Sequence, residues 1–246
     1  MVKTISSLQN PFIKQLVQLK EKSKLRKQTG LFVIEGKREL SLAIKSNYRI
    51  ETLYYNPNLF SASEAASLEP YGIDVIEITK AIYEKVAHRD STEGVIAVAK
   101  AKNFDLKNLE LKSKTPLILV AEAPEKPGNI GALLRTGDAA NVDAIIISNP
   151  LTDLYNPNII RSSVGGVFTV PIAMGSSEEV IDFLRTKNIS IYAATLQDSV
   201  VYDSIDFKKA TALIVGTEST GLSEPWRDAA TTKIRIPMQG KIDSMN

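Results

Sequence analysis

The stretch Ala212-Leu213-Ile214-Val215-Gly216-Thr217-Glu218-Ser219-Thr220-Gly221 is the part of the sequence that decides the fold. It joins four apolar residues to a polar loop that begins and ends with glycine. Similar apolar runs occupy 117–120, 144–147 and 189–194, with helical patterns between them. Short apolar strands of this kind are typical of a parallel sheet covered on both faces. The sequence therefore predicts a parallel α/β domain whose ligand lies at the carboxyl ends of its strands.

The first hundred residues predict a smaller α/β unit. Asn10 and Pro11 suit the start of a helix, and the helical pattern that follows runs out near Gly30. Strands and helices then alternate as far as a strand at 94–99. The polar, weakly patterned stretch 101–115 predicts a linker. The expected domains are 1–100, the linker 101–115, and 116–246.

The composition excludes several kinds of chemistry. The 246 residues include no cysteine and one histidine, His88. Disulfides, thiolate catalysis and cysteine-ligated metals are therefore excluded, and we expect no metal site. We find neither an apolar stretch of the roughly 20 residues that a membrane span needs nor a signal peptide at the N-terminus. The expected location is the cytoplasm, away from membranes.

Charge is distributed unevenly along the chain. Residues 1–50 contain eleven lysines and arginines against three glutamates, a charge of 11 − 3 = +8, whereas the net charge of the chain is +2. The remaining residues therefore carry 2 − 8 = −6. A basic N-terminal part on a mildly acidic body indicates either a polyanion partner, such as nucleic acid, or a lysine-rich helix face exposed to solvent.

Three segments could form a ligand site. The loop 216–221 has the glycine spacing of a phosphate-binding loop but lacks the lysine after the second glycine, and the dinucleotide fingerprint is absent. An ATPase or a nicotinamide-dependent dehydrogenase is therefore disfavoured. The second segment, 126–137, follows a strand and carries Arg135, which alone could equally be a surface ion-pair residue. The third, 234–246, could equally be an edge strand with a tail.

Taken in order, these segments resemble the three signature motifs of the SpoU/TrmH family within the SPOUT methyltransferases. The matching residues are Asn129-Ile130-Gly131 through Arg135 to Asn141-Val142, Ile214 through Glu218 to Ser223, and Ile236-Pro237-Met238 through Asp243-Ser244-Met245-Asn246. Residues 156–165 match a further family segment. The first hundred residues resemble the ribosomal-protein-like, substrate-binding domain often fused ahead of this core, at Ser7 through Pro11 and Phe32 through Gly36.

The resemblance implies an S-adenosylmethionine-dependent methyltransferase that acts on a ribose 2′-hydroxyl of ribosomal or transfer RNA. It also implies a homodimer and a trefoil knot in the C-terminal domain, an exception to the usual absence of knots. The cofactor would be enclosed by backbone and apolar groups of Thr195, Leu196, Gly216, Ile236, Met238 and Met245.

Methyl transfer to a hydroxyl is an in-line displacement in which the attacking oxygen gains negative charge. The resemblance makes Arg135 the residue expected to stabilise that charge. Because a guanidinium titrates at about 12.5–13.8, stabilisation is a simpler role for it than general-base catalysis. The residues expected to position Arg135 and the ribose are Asn129, Glu218, Ser244 and Asn246. For Glu218, a role in stabilising its own loop is an equally good interpretation. The expected RNA contacts are Lys14, Arg26, Lys27, Arg38 and Arg161, and Arg161 could instead pair with a carboxylate.

The sequence departs from the family at its end. It stops at Asn246 within the third motif, which we interpret as a shortened chain rather than as a damaged cofactor site, because the upstream motifs are intact. Met245 replaces the family's usual leucine, a change that conserves volume. The alternative function is that of a non-catalytic RNA-binding protein that keeps the fold.

Overall fold

The computed structural model describes residues 3–68, 71–88 and 93–240. These residues form two compact units. The first unit comprises residues 1–102 together with 153–169, and the second comprises 103–152 together with 170–246. The segment 153–169, which the sequence assigns to the C-terminal domain, thus makes its contacts within the first unit. The position of the functional domain boundary stays a prediction.

A mixed five-stranded sheet forms the centre of the first unit. The strands are β1 (Lys3–Ile5), β2 (Leu31–Glu35), β3 (Ile50–Tyr55), β4 (Asp74–Ile78) and β5 (Val95–Lys100). They lie in the order β1-β4-β3-β5-β2. β4 pairs in parallel with β1 and β3, whereas β5 pairs antiparallel with β3 and β2. Leu16, Leu19 and Ile96 are fully buried in the core that this sheet forms with the helices.

The basic helical region contains two helices where the sequence pattern predicts one. α1 (Pro11–Glu21) begins at Asn10, whose side chain accepts a hydrogen bond from the Phe12 N–H, and α2 (Ser23–Thr29) ends at Gly30 in the left-handed region. Lys22 between them is extended (φ −110°, ψ 102°). This break turns α2 so that Arg26 donates to the carbonyls of Leu19 and Lys20, which end α1 without helical partners.

The other helices of the first unit are short. α3 (Lys37–Lys45), α4 (Ala62–Ala66) and α5 (Lys80–Val86) connect the strands, and α7 (Pro157–Ser162) and α8 (Gly166–Thr169) belong to the segment 153–169. This segment is anchored by aromatic packing. Tyr155 stacks on Phe32 with ring centroids 4.1 Å apart, and Phe168 meets the Tyr48 ring edge-on at 5.1 Å.

The second unit is built on a parallel sheet of seven strands, in the order β10-β12-β9-β11-β6-β7-β8. Every pairing in it is parallel. The strands are β6 (Leu117–Glu122), β7 (Ala144–Ser148), β8 (Ile172–Gly175), β9 (Ser190–Ala194), β10 (Val200–Val201), β11 (Thr211–Val215) and β12 (Thr232–Arg235). Side chains of the central strands, such as Val120, Ile146 and Ile214, are completely buried.

Three helices cover this sheet, namely α6 (Pro127–Ala139), α9 (Ser177–Thr186) and α10 (Glu224–Ala229). Trp226 of α10 is fully buried in the core. Part of the expected linker also packs here, because Leu106, Leu109 and Leu111 lie against the same core. The Met174 N–H donates to the Phe104 carbonyl at 2.7 Å.

The predicted fold class is confirmed: a small mixed α/β unit and a parallel-sheet unit. All four strands predicted in the second unit are present, and β8, β10 and β12 complete the sheet. β12 pairs on both sides, with β9 and with β10, so it is not the edge strand considered for this segment. The trefoil knot stays a prediction. Within the described ranges, no helix combines the length and the apolar character that crossing a membrane requires.

Candidate cofactor and catalytic site

The predicted site segments all follow strands that are neighbours in the parallel sheet. β12, β9, β11 and β6 lie side by side in that order, so their carboxyl ends share one edge. The segments 126–137, 195–196, 216–221 and 236–238 begin at or near this edge. Ligands of open parallel sheets bind in the crevice at such an edge. The topology therefore brings together the three segments that the sequence singles out.

Glu218 joins the second segment to the first. Its carboxylate accepts hydrogen bonds from Asn129 Nδ2 and from Lys126 Nζ, each at 2.7 Å. The hydrogen bond from Lys126 and then that from Asn129 lower the pKa of Glu218 below its ordinary value. The same contact raises the pKa of Lys126. All of this supports the interpretation of Glu218 as an acceptor that fixes its own loop against the start of α6.

The loop after β11 folds back tightly on itself. The backbone groups of Thr217 and Gly221 exchange hydrogen bonds of 3.2 and 3.1 Å, and Gly221 has a φ of 68°. A Cβ on Gly216 would lie 2.2 Å from the carbonyl carbon of Gly221. Only glycine therefore permits this close approach of two backbone strands.

Glu122, at the end of β6, is a buried part of the site that the sequence reasoning missed. It is 5% exposed, and its carboxylate accepts from the Ser223 N–H at 2.8 Å and the Ser223 hydroxyl at 2.6 Å. The Ser177 hydroxyl also donates to it at 3.2 Å, and Trp226 Nε1 donates to Ser177 at 2.9 Å. Glu122 thus ties the end of the β11 loop to the strand that leads into α6.

A signal for Glu122 was present in the sequence. It is the single charged residue in the run Leu117–Glu122, and a charge in a fully apolar strand requires partners. The next residue, Ala123, has a φ of 44°, which is unusual for a residue with a side chain. Strained backbone of this kind often accompanies functional loops.

Arg135 lies on α6, six residues beyond Asn129, and is exposed. Within residues 3–68, 71–88 and 93–240, no hydrogen bond or ion pair engages its guanidinium. Its donors are thus free to meet a ligand. The structure does not bring Arg135 into contact with Asn129 or Glu218, which are expected to position it.

The expected cofactor residues include unusually exposed apolar side chains. Leu196 after β9 is 70% exposed, Ile236 after β12 is 50% exposed, and Met238 is 39% exposed. Thr195 is half-buried, and its N–H donates to the Ile234 carbonyl at 3.0 Å, which ties the β9 and β12 loops together. The expected residues Ser244, Met245 and Asn246 lie outside the described residues.

The expected RNA contacts differ in exposure. Lys14 and Lys27 are exposed on α1 and α2. Arg38 and Arg161 are exposed and donate at one nitrogen each, to the Val164 carbonyl at 3.0 Å and to Asn158 Oδ1 at 2.7 Å. In the described part of the chain, Arg161 has no carboxylate partner.

Arg26 behaves differently from the other expected RNA contacts. It is 5% exposed, and its Nε donates to Asp153 Oδ2 at 2.5 Å in a buried ion pair. The guanidinium also caps α1, so it is committed to internal partners. Arg26 is therefore a structural residue in this conformation, and sequence charge alone could not show that it turns inward.

Comparison with known proteins identifies the family to which this chain belongs. The model described as the SpoU rRNA Methylase family matches residues 116–246, and the model of the MRM3-like substrate binding domain matches residues 10–97. This chain belongs to the SpoU rRNA methylase family.

Individual rRNA methyltransferases match the chain over its whole length. It is 25% identical to the 23S rRNA (guanosine(2553)-2′-O)-methyltransferase RlmP of Bacillus subtilis, over 100% of this chain and 94% of that protein. The structure of an AdoMet-bound rRNA methyltransferase from Sinorhizobium meliloti is 30% identical, with a TM-score of 0.91 over 100% and 92% of the two chains.

A third similar protein is the SpoU methyltransferase AviRb of Streptomyces viridochromogenes, solved in complex with the cofactor AdoMet. It is 27% identical, with a TM-score of 0.85 over 96% of this chain and 92% of that one. The resemblance drawn from the sequence motifs is therefore confirmed. Within the described ranges, no group of three or more histidine, aspartate or glutamate residues is placed to hold a metal ion.

Proposed function

We propose that this chain transfers a methyl group from S-adenosylmethionine to a ribose 2′-hydroxyl of RNA, with ribosomal RNA as the first candidate and transfer RNA as the second. The observation that carries the proposal is the convergence of the SpoU motif segments at one edge of the parallel sheet, joined there by the bonds of Glu218 to Asn129 and Lys126. The names of the relatives favour catalysis over a non-catalytic RNA-binding role.

The residues at this edge fit the cofactor. S-adenosylmethionine has an apolar-faced adenine and polar ribose and amino-acid groups. Leu196, Ile236 and Met238 expose apolar surface to a ligand, and the tight loop at Gly216 offers backbone groups. Met245 is part of the same proposal. When bound, the cofactor supplies an electrophilic methyl carbon on its sulfonium group.

Arg135 is proposed to stabilise the negative charge that develops on the attacking 2′-oxygen. Its free guanidinium carries a permanent positive charge at physiological pH, so it acts without a change in its own protonation. Donors aimed at developing charge are worth about 10²–10³ in turnover in other enzymes. Asn129 and Glu218 order the start of the same helix, and Ser244 and Asn246 are proposed to complete the site.

The first unit is proposed to bind the RNA. Lys14, Lys27, Arg38 and Arg161 are exposed cations that can contact phosphates or bases. Looped or single-stranded RNA is the expected target, because its 2′-hydroxyl is accessible. A homodimer, with both copies contributing to each site, is the assembly that we propose.

Calorimetric titration with S-adenosylmethionine tests the cofactor part of this proposal. We expect saturable binding with one cofactor per chain. A Leu196→Asp variant should bind more weakly, because it places a negative charge in the proposed adenine site. The matched control is Leu151→Asp, because Leu151 is 64% exposed in the same unit, whereas a side chain such as Phe183 packs against the core. Equal weakening in Leu151→Asp, or no binding by the unaltered protein, would contradict the proposal.

A further inference from the structure

A cavity in the first unit is lined by residues that do not belong to the proposed methyl-transfer segments. Its volume is about 300 Å³. Three features define it: an apolar floor, two arginines and a carboxylate without a partner among the described residues. The residues concerned are Val33, Pro157 and Ile160 for the floor, Arg38 and Arg161 for the arginines, and Glu39 for the carboxylate. All of them belong to the first unit.

Buried apolar side chains form part of the cavity lining, which we call its floor. Val33 is 2% exposed and Ile160 is 3% exposed, and Pro157 also lines the cavity. Apolar side chains at the base of a cavity favour the face of a planar ring over a compact, strongly hydrated ion. The floor therefore indicates a ring-shaped ligand.

The two arginines are positioned but not saturated. Arg38 is held by the carbonyl of Val164, a β-branched residue with a φ of 57°, and Arg161 is held by Asn158. Each guanidinium has five N–H donors and uses one of them in these contacts. Both retain donors for acceptor atoms of a ligand.

Of the acidic residues in the cavity, Glu39 is the one available as an acceptor. Glu35 pairs with Lys20 and accepts from the His88 N–H, and Glu93 accepts from the Lys37 N–H at 2.6 Å. Within the described ranges, no partner engages the half-buried Glu39 carboxylate. It folds back over Gly36, where a Cβ would lie 2.7 Å from its Oε2.

The charges of the cavity disfavour a simple anion. Two arginines face three glutamates, so a free phosphate would gain little net attraction. A neutral ring that presents both acceptors and donors uses the arginines and Glu39 together. Guanine has this pattern: O6 and N7 accept from arginine, while N1–H and N2–H donate to a carboxylate.

We infer that this cavity binds an unpaired guanine of the RNA substrate, so that the first unit recognises a base while the second unit carries the proposed methyl-transfer site. The guanine would lie on the floor of Val33 and Ile160, accept from Arg38 or Arg161 and donate to Glu39. Unstacked bases of loops are the usual targets of sequence-specific RNA recognition. This inference rests on the proposed function, because it takes RNA as the ligand.

Fluorescence anisotropy with labelled single-stranded RNA tests the inference. The probes are an all-uridine oligonucleotide and the same oligonucleotide with one central guanosine or adenosine, at one fixed salt concentration. We expect the protein to bind the guanosine probe about tenfold more tightly than the other two. Glu39→Gln should remove this preference while affinity for the all-uridine probe stays unchanged.

Two control variants separate base recognition from charge. Glu84→Gln neutralises an exposed carboxylate on α5, and Lys45→Ala removes an exposed cation at the far end of α3 from Arg38. Both should keep the preference for guanosine, whereas Arg38→Ala and Arg161→Ala should reduce it. Thermal melting verifies that each variant is folded.

The inference is overturned if the unaltered protein binds the three probes equally or not at all, or if Glu39→Gln weakens all three in parallel. Calorimetry with S-adenosylmethionine is carried out on the same preparations. If the unaltered protein shows no preference for guanosine but binds the cofactor normally, only the inference of a base pocket is contradicted. If the protein prefers guanosine but does not bind the cofactor, the methyltransferase proposal is contradicted and the inference of a base pocket stands.

Discussion

At the scale of residues, the site combines fixed groups with one free group. Asn129, Lys126 and Glu218 satisfy one another, and Glu122 is satisfied by Ser223 and Ser177. Arg135 alone among the proposed catalytic residues that the structure describes has no partner. A guanidinium without an internal partner is suited to meet charge that appears only during the reaction.

Replacement of Arg135 by alanine separates catalysis from cofactor binding. We expect turnover to fall by about 10²–10³-fold, because the developing alkoxide loses its stabilising charge. The cofactor affinity measured by calorimetry should change little. Arg185→Ala, which removes an exposed arginine from α9 of the same unit, should leave both quantities unchanged. A large loss of cofactor affinity in Arg135→Ala would show that this residue binds the cofactor instead.

The titration of Glu218 reports on the bridge to Lys126. Its pKa lies below the ordinary 4.5 because Lys126 and Asn129 donate to the ionised form. The bridge therefore contributes to stability above pH 4.5, and this contribution is lost as the pH falls through the lowered pKa. In an NMR titration of the side-chain carboxyl, Lys126→Met should raise the pKa of Glu218 toward 4.5. Lys208→Met should not, and a shift equal in both variants would refute a specific bridge.

At the scale of elements, the sequence predicts what depends on local patterns. The continuous apolar runs of β6, β7, β9 and β11 predict buried parallel strands, and the structure contains them. The strand β8 was missed because it is short, Ile172–Gly175, and ends in glycine. The break at Lys22 accompanies a long-range contact, because Arg26, four residues further along, donates to Asp153, 127 residues away in the chain. The pattern of apolar and charged residues within one helix does not reveal a partner so distant in the chain.

The candidate site could be predicted from the sequence to about the same extent as the strands and helices. The motif segments could be placed at strand ends from their order, whereas the bond between Asn129 and Glu218, 89 residues apart, depends on which strands are neighbours in the sheet. Glu122 shows the same limit. Its charge marks it in the sequence, but its partners lie far away in the chain: Ser177 is the first residue of α9, and Ser223 immediately precedes α10.

The tight loop after β11 requires glycine at position 216, and this requirement can be tested. Gly216→Ala places a Cβ 2.2 Å from backbone of Gly221, which cannot yield as a flexible side chain would. We expect a destabilisation of about 1–3 kcal/mol and weaker cofactor binding. Gly128→Ala is the matched control, because its Cβ would meet nothing within 4 Å and alanine favours the helix. Equal melting temperatures for the two variants would contradict this account of the loop.

Arg26 and Lys27 are adjacent cations with opposite expected roles. Arg26→Ala leaves Asp153 as a buried unpaired charge, so we expect a loss of about 3–5 kcal/mol, measured as a lower urea midpoint. Lys27→Ala should leave that midpoint unchanged and weaken RNA binding at low salt. If Arg26→Ala were as stable as the unaltered protein, the ion pair would not anchor the segment 153–169.

At the scale of the whole molecule, the two units divide the proposed work. The second unit carries the SpoU motifs on a parallel sheet, and the first carries exposed cations and a cavity suited to a base. The chain's net charge of +2 conceals this division, because the first 50 residues carry +8.

The most direct test of the central claim is the chemical identity of the product. Transcribed 23S ribosomal RNA and transfer RNA are incubated with the protein and S-adenosylmethionine carrying a labelled methyl group, then digested and analysed by mass spectrometry. We expect the label on a nucleoside methylated at its ribose 2′-oxygen, and none with Arg135→Ala. Label on a base, or no label in either RNA while the cofactor binds, would contradict the claim.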